Sequence, residues 1–245
     1  MTLAIVVPVK SPGRAKHRLE PVLSEPERER LAVVMAREVF AAVSTLTMYG
    51  RFVVSDDPEI LEEGGRFGLE PITDRLAQGQ SAAVGQGFSA AWERGFTAAL
   101  TIPGDVPAVT AEELADLCSY RPEIEVLLAP DRERLGTNGL RLVPPHAITL
   151  RFGEDSFSLH QAEARRANRS FEVKEVEGLR YDLDRPGDVV AFMQLPRDTA
   201  TLLSLLLRGG PIHRRAVLIH KLRAAVGAVS EQSGQDHETQ EHQFA

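Results

Sequence analysis

The sequence predicts an α/β protein: one mostly parallel central sheet with helices on both faces. Three observations carry this reading. Strand-like and helix-like segments alternate along the chain. The first of them, residues 3–9, is apolar at every position, as a strand buried on both faces must be. The 245 residues are 43% hydrophobic and 26% charged, an ordinary globular composition with length for a full core.

Taken in order, residues 3–9 form the first strand, followed by the basic loop Lys10-Ser11-Pro12-Gly13-Arg14-Ala15-Lys16-His17-Arg18. Ser24-Glu25-Pro26-Glu27 has the spacing of a capping box and opens a helix. Leu31, Val34, Met35, Val39, Ala42, Val43 and Leu46 lay an apolar stripe along it. Residues 51–55 are the second strand, ending in Asp56-Asp57-Pro58. Alanine-rich residues 81–94 predict a helix, and residues 98–102 a third strand closed by Pro103-Gly104-Asp105-Val106-Pro107. Thr110-Ala111-Glu112-Glu113 is a second capping box, with a helix through residue 117. Residues 125–129 predict a fourth strand, 130–138 a polar loop, and 139–143 a further strand. Residues 155–167 have helical spacing and 171–176 are strand-like. Tyr181-Asp182-Leu183-Asp184 is expected to end a last strand, with a helix from Pro186. Helices are expected at 199–207 and 214–226. The domain reading is one domain over 1–208, a helical extension over 209–228 and a disordered polar tail over 229–245.

Composition excludes several classes. With 28 Lys and Arg against 35 Asp and Glu, the net charge of −7 argues against a nucleic-acid coat or an anionic-membrane binder. A single cysteine, Cys118, rules out a disulfide framework or cysteine-rich zinc module and reads as core. No apolar run approaches the roughly 20 residues of a bilayer span. No basic segment precedes the first apolar run, so a cytoplasmic protein without a signal peptide is expected. The seven histidines show no metal-ligand spacing, and no Ser-His-Asp or Cys-His arrangement stands out.

Ligands of open parallel sheets bind beyond the carboxyl ends of the strands. Three features fall there. Lys10, Arg14, Lys16 and Arg18 crowd nine residues beside Gly13, a set suited to polyphosphate. The loop lacks the Walker pattern and the dinucleotide glycines, and a solvated basic loop is the plainer alternative. Asp105 follows an apolar strand, where a carboxylate serves a divalent cation or caps its own turn. Asp182 and Asp184 alternate along an expected strand, so both carboxylates would face one ion. Asp184 reads equally as the N-cap of the helix from Pro186. A cationic loop facing carboxylates on separate strand ends is what nucleotidyl transfer needs.

Six stretches bring a resemblance. Pro8 to Leu19 resembles the opening motif of the CofC/FbiD proteins. Pro103-Gly104-Asp105-Val106-Pro107, Pro130-Asp131-Arg132, Gly136-Thr137-Asn138-Gly139-Leu140, Phe152-Gly153-Glu154-Asp155-Ser156-Phe157 with His160, and Gly178 through Pro186 follow in the same order. These proteins are guanylyltransferases of coenzyme F-420 biosynthesis, related to MobA-like nucleotidyltransferases. The resemblance covers roughly residues 3–207. It implies a Rossmann-like nucleotidyltransferase fold, GTP as donor, Mg²⁺ as cofactor and a three-carbon phosphoacid as acceptor. Phosphoenolpyruvate is the expected acid, with 2-phospho-L-lactate and 3-phospho-D-glycerate as alternatives.

Carried over by motif, Thr137, Gly153 and Ser156 are the phosphoenolpyruvate positions. Hydroxyls and backbone N–H groups at a helix start make an anion site. Ser156 also reads as the N-cap of its helix. Asp105, Asp182 and Asp184 are the metal carboxylates. Lys10, Arg14 and Lys16 are the triphosphate clamp, with Asp105 and Lys16 as the catalytic pair. Where the family has Gly-Leu-Asn before the second helix, at the base-reading position, this chain departs to Gly79-Gln80-Ser81, and Ser81 is the expected nucleotide contact there. A molybdopterin or sugar-phosphate nucleotidyltransferase is the rival within the fold. A non-catalytic nucleotide-binding scaffold is the rival of another class. No nucleic acid or membrane is expected as partner. The apolar run at 202–207 would serve a homodimer interface as readily as a core.

Overall fold

The apolar run at the amino terminus becomes β1 (Leu3–Pro8), buried at every residue in the middle of a seven-stranded sheet. The computed structural model describes residues 1–75 and 77–192. The other strands are β2 (Gly50–Ser55), β3 (Glu70–Thr73), β4 (Ala98–Thr101), β5 (Val126–Pro130), β6 (Thr137–Leu142) and β7 (Phe171–Val173). Their order is β3-β2-β1-β4-β6-β5-β7, and only β6 runs against its neighbours. The described helices are α1 (Glu25–Ser44), α2 (Pro58–Arg66), α3 (Gln80–Glu93), α4 (Ala111–Ser119), α5 (Ser156–Arg166) and α6 (Pro186–Phe192).

Alternation along each strand divides the interior into two cores. Leu3, Ile5 and Val7 of β1 pack with Ala36, Val39, Phe40 and Val43 of α1, Ile60 of α2 and Leu114 of α4. Ala4 and Val6 face the other way, toward Val84 and Phe88 of α3 and Phe157 and Ala164 of α5. Phe40 is wholly buried, and truncating such a side chain to alanine costs about 3–5 kcal/mol.

α2 and β3 are absent from the sequence reading. Their signal was present but muted. Asp57 caps α2 with its Oδ1, accepting from Glu59 N at 2.9 Å and Ile60 N at 3.4 Å, and Pro58 takes the first helical position. Gly64 and Gly65 lower its helix propensity, yet Gly64 is demanded by packing. A Cβ there would stand 2.6 Å from Val53 Cγ1. β3 is a short edge strand containing Pro71, where a missing N–H is tolerated.

Three local expectations are corrected. Residues 181–184 are not a strand: a 3₁₀ turn, Glu177–Leu179, leads into irregular chain, so alternate-residue facing does not govern Asp182 and Asp184. β7 ends at Val173 rather than 176. The polar loop after β5 ends earlier than expected, because Thr137 and Asn138 already belong to β6.

The chain forms two compact units. One comprises Met1–Ala15 and Ala32–Asp182, and holds both cores. The other comprises Lys16–Leu31 and the described residues from Leu183 onward. No described helix is long and apolar enough to cross a membrane. The expected helices at 199–207 and 214–226, the tail at 229–245 and the apolar run at 202–207 lie outside the described residues.

Candidate active site

β1 and β4 pair in parallel, so Lys10 and Asp105 leave the sheet from adjacent strands at the same end. Gly104 N donates to Pro8 O at 3.2 Å, and a Cβ on Gly104 would stand 2.7 Å from Val9 Cγ2. Only glycine allows this approach, which presses the Asp105 turn against the end of β1. The basic loop is moored to the acidic end of β2. Ser11 Oγ donates to Asp57 Oδ2 at 2.9 Å, and Arg14 forms an ion pair with Asp56. Asp57 thus caps α2 and anchors the loop, a double role the sequence reading missed.

In the second unit, Lys16 is buried and holds a left-handed backbone, φ 61°. Its Nζ lies 3.8 Å from Asp184 Oδ1, and Arg18 Nη1 donates to Asp184 Oδ2 at 2.8 Å. Two cations therefore share the Asp184 carboxylate. The backbone N–H groups of Asp184 and Arg185 are accepted by Asp188 Oδ2, at 3.2 and 2.7 Å. Asp188, not Asp184, does the capping work at this helix start.

Among the described residues, no three His, Cys, Asp or Glu side chains gather into a ready-made metal site. The carboxylate donors still suit magnesium, which takes few protein oxygens and completes its shell with water and substrate phosphate. The chain leading to Asp182 lies on the loop that follows Asp105. Glu113 Oε1 accepts from Gly178 N at 3.0 Å, and a Cβ on Gly178 would meet Val109 Cα at 2.6 Å and Ala108 O at 2.7 Å.

The expected phosphoacid residues come together around the start of α5. Asn138 is an extra residue in the β5–β6 ladder, since Ala129 pairs with Gly139 and Pro130 with Thr137. Such a bulge re-aims the side chains beyond it. Thr137 accordingly turns to the face of Leu140 and Leu142, where α5 packs. Thr137 N donates to Ser156 Oγ at 2.9 Å, and Thr137 Oγ1 lies 3.0 Å from His160 Nδ1. All three side chains are nearly inaccessible, at 3%, 2% and 0%. Ser156 is not the N-cap: Asp155 occupies that position without a side-chain cap bond, and Ser156 is the first helical residue. The loop before α5 turns at Gly153, φ 134°, a conformation side chains resist.

Ser81, at the start of α3, accepts from Phe152 N at 2.9 Å, and His160 Nε2 accepts from Arg151 N at 2.9 Å. Two side chains thus pin two successive amides of one loop. Asp131 shapes the other approach to Thr137, accepting from Leu135 N at 3.0 Å and Gly136 N at 2.8 Å. His160 and Asp131 stand in the sequence motifs, but their work shows only in these contacts. Burial pushes the His160 pKa down to about 4. It pushes the Cys118 thiol up to about 12, leaving that thiol inert in the core.

The arrangement is similar to known enzymes. A family model described as guanylyl transferase CofC like matches residues 3–205. Over 197 residues the chain is 36% identical to the phosphoenolpyruvate guanylyltransferase of Sphaerobacter thermophilus, covering 77% of this chain and 91% of that one. It is 30% identical over 184 residues to the 2-phospho-L-lactate guanylyltransferase of Methanocaldococcus infernus, covering 75% and 81%. Among solved structures, a nucleotidyl transferase from Methanothermobacter superposes with a TM-score of 0.58 at 16% identity, covering 78% of this chain and 95% of the other. At that identity the likeness speaks for the fold, the Rossmann-like nucleotidyltransferase sheet that the sequence resemblance implied. With the matched region spanning both capping boxes, every strand end described above and the buried Thr137–Ser156 pair, this chain belongs to the CofC-like guanylyl transferases.

Proposed function

We propose that this protein transfers GMP from GTP to phosphoenolpyruvate, giving enolpyruvoyl-2-diphospho-5′-guanosine and pyrophosphate, in coenzyme F-420 biosynthesis. One observation carries the reading: two buried hydroxyl residues, Thr137 and Ser156, are joined at the start of α5 by the Thr137 N–Ser156 Oγ bond, close to the exposed Gly153. Neutral donors at a helix start suit a small anion that must enter alongside a second polyanion.

The reaction needs little covalent chemistry from the protein. A phosphate oxygen of phosphoenolpyruvate attacks the α-phosphorus of GTP. The bond from that phosphorus to the bridging oxygen breaks, and pyrophosphate departs with the electron pair. The attacking phosphate is already anionic near neutral pH, so no general base is called for. Lys10, Arg14 and Lys16 hold the triphosphate, with Ser81 on the nucleotide side. Thr137, Gly153 and Ser156 hold the acceptor. Asp105, Asp182 and Asp184 are the carboxylates that would hold magnesium, which when bound neutralises phosphate charge and polarises the α-phosphoryl group. Orientation of two anions against each other supplies the rate.

The test offers purified protein GTP, magnesium and an equimolar mixture of phosphoenolpyruvate, 2-phospho-L-lactate and 3-phospho-D-glycerate, with products resolved by mass spectrometry. The phosphoenolpyruvate product is expected to dominate, with stoichiometric pyrophosphate. Dominance of another acid would reassign the acceptor, and no turnover with any of the three would reject the reading. Asp105→Asn is expected to lose at least roughly a hundredfold in turnover while melting within a few degrees of the parent. Activity that survives this change would remove Asp105 from the metal assignment.

A further inference from the structure

We infer that His160 is a positioning residue, which holds the Thr137 hydroxyl as a hydrogen-bond donor aimed at the acceptor phosphoacid. The inference rests on the acceptor site proposed above and adds a residue to it. It follows from the directionality of four hydrogen-bonding groups.

The backbone N–H of Arg151 can only donate, and it donates to His160 Nε2 at 2.9 Å. Nε2 therefore carries no proton. A neutral imidazole then has its proton on Nδ1, which faces Thr137 Oγ1 at 3.0 Å. Thr137 Oγ1 is thus the acceptor in that bond, and its own proton points elsewhere. Ser156 Oγ is likewise an acceptor, from Thr137 N at 2.9 Å, so its proton is also left for donation. Both hydroxyls have been turned into donors by the protein around them, the polarity an anion requires. The opposite tautomer would set Nε2–H against the Arg151 N–H, donor against donor. Nδ1 would then draw the Thr137 proton, and the hydroxyl oxygen would present lone pairs to the anion.

The surroundings hold this state. His160 is wholly buried, with its ring edge-on to Phe152 at a centroid distance of 4.8 Å. Burial favours the uncharged imidazole, and the pinned Arg151 amide selects which nitrogen is bare. His160 touches no reacting atom in this account. It acts through Thr137.

Two substitutions separate its two bonds. Asn places an amide N–H near the position of Nδ1, keeping the donor to Thr137 and losing the acceptor for Arg151. Gln places its amide near Nε2, keeping the Arg151 acceptor and losing the Thr137 donor. His160→Gln is expected to raise the KM for phosphoenolpyruvate roughly tenfold, the cost of one misdirected bond to an anion. His160→Asn is expected to raise it less than about threefold, and neither should move the KM for GTP by more than about twofold. Equal effects of Asn and Gln, or equal effects on both substrates, would overturn the inference. A readout that needs no variant is the ¹⁵N spectrum of histidine-labelled parent protein at neutral pH. His160 is expected as the Nδ1–H tautomer, and an Nε2–H signal overturns the proposal even if the variants fail to fold. The spectrum is independent of turnover, so an inactive parent would count against the proposed reaction, whereas an active parent with the wrong tautomer would count against His160 alone.

Discussion

Strand β6 carries two buried polar clusters of opposite character. Near its end, Arg141 is wholly inaccessible, and among the described residues no carboxylate accepts a hydrogen bond from it. Its guanidinium instead donates to the carbonyls of Leu117, Cys118, Tyr120, Arg121 and Ile124, at and beyond the end of α4. Carbonyls left over at a helix C-terminus carry partial negative charge, so a cation there satisfies orphan acceptors and the helix dipole together. At its beginning, Thr137 joins Ser156 and His160 in a network in which each hydroxyl oxygen accepts one bond while neither hydroxyl proton is committed within it. The first cluster spends its donors on the protein's own backbone. The second keeps donors for something else. Burial alone therefore does not distinguish structural from functional polar groups; the direction of the donors does.

That contrast can be broken. Arg141→Met keeps the side-chain stem and removes the donors, stranding several buried carbonyls. A loss of about 4 kcal/mol in unfolding free energy is expected, with the KM for phosphoenolpyruvate unchanged in the protein that remains folded. Denaturant melts and steady-state kinetics check this, and a raised KM would join the two clusters into one.

A somewhat smaller effect is expected from pH. The folded His160 pKa of about 4 lies below the ordinary histidine value, so the unfolded chain binds the extra proton between the two. The neutral residue's stabilising contribution is full above about pH 6.5 and is lost as the pH falls toward 4, on the order of 3 kcal/mol. Glu163 opposes this weakly. Its carboxylate is held ionised first by Arg166 and also by Arg151, and it draws the imidazole toward protonation. Melting curves of the parent and His160→Gln between pH 4 and 7 should differ in slope. Parallel curves would mean that His160 is not buried in its neutral form.

The smallest effect sharpens the contrast from the structural side. Thr110 and Glu113 form a complete capping box at α4, and Glu113 also holds Gly178 N. Thr110→Ala is expected to cost about 1 kcal/mol, seen as a lower melting temperature with catalysis intact. A selective loss of turnover would instead tie the α4 cap to the Asp182 segment.

Much of the scaffold was legible because it depends on local periodicity. The unbroken apolar run of β1 and the box at Thr110 each announce their element within a few residues. α2 was not legible, since two glycines lower its propensity and one of them, Gly64, is there for contact with Val53 of β2. The irregular chain at residues 181–184 was not legible for a related reason. Alternate apolar and acidic residues suggested a strand that the chain does not form, and Asp184 pairs there with Lys16 and Arg18.

The strands β1, β2, β4 and β5, the placing of Lys10 and Asp105 at strand ends and the family motifs were determined by the sequence, because short-range pattern encodes each of them. The bulge at Asn138 that turns Thr137 toward α5, and the tautomer of His160, were decided only by the tertiary structure. Register at the bulge depends on which β5 residues meet β6, hydrogen-bond direction at His160 depends on partners 9 and 23 residues away along the chain, and no local pattern records which of two nitrogens meets a backbone amide.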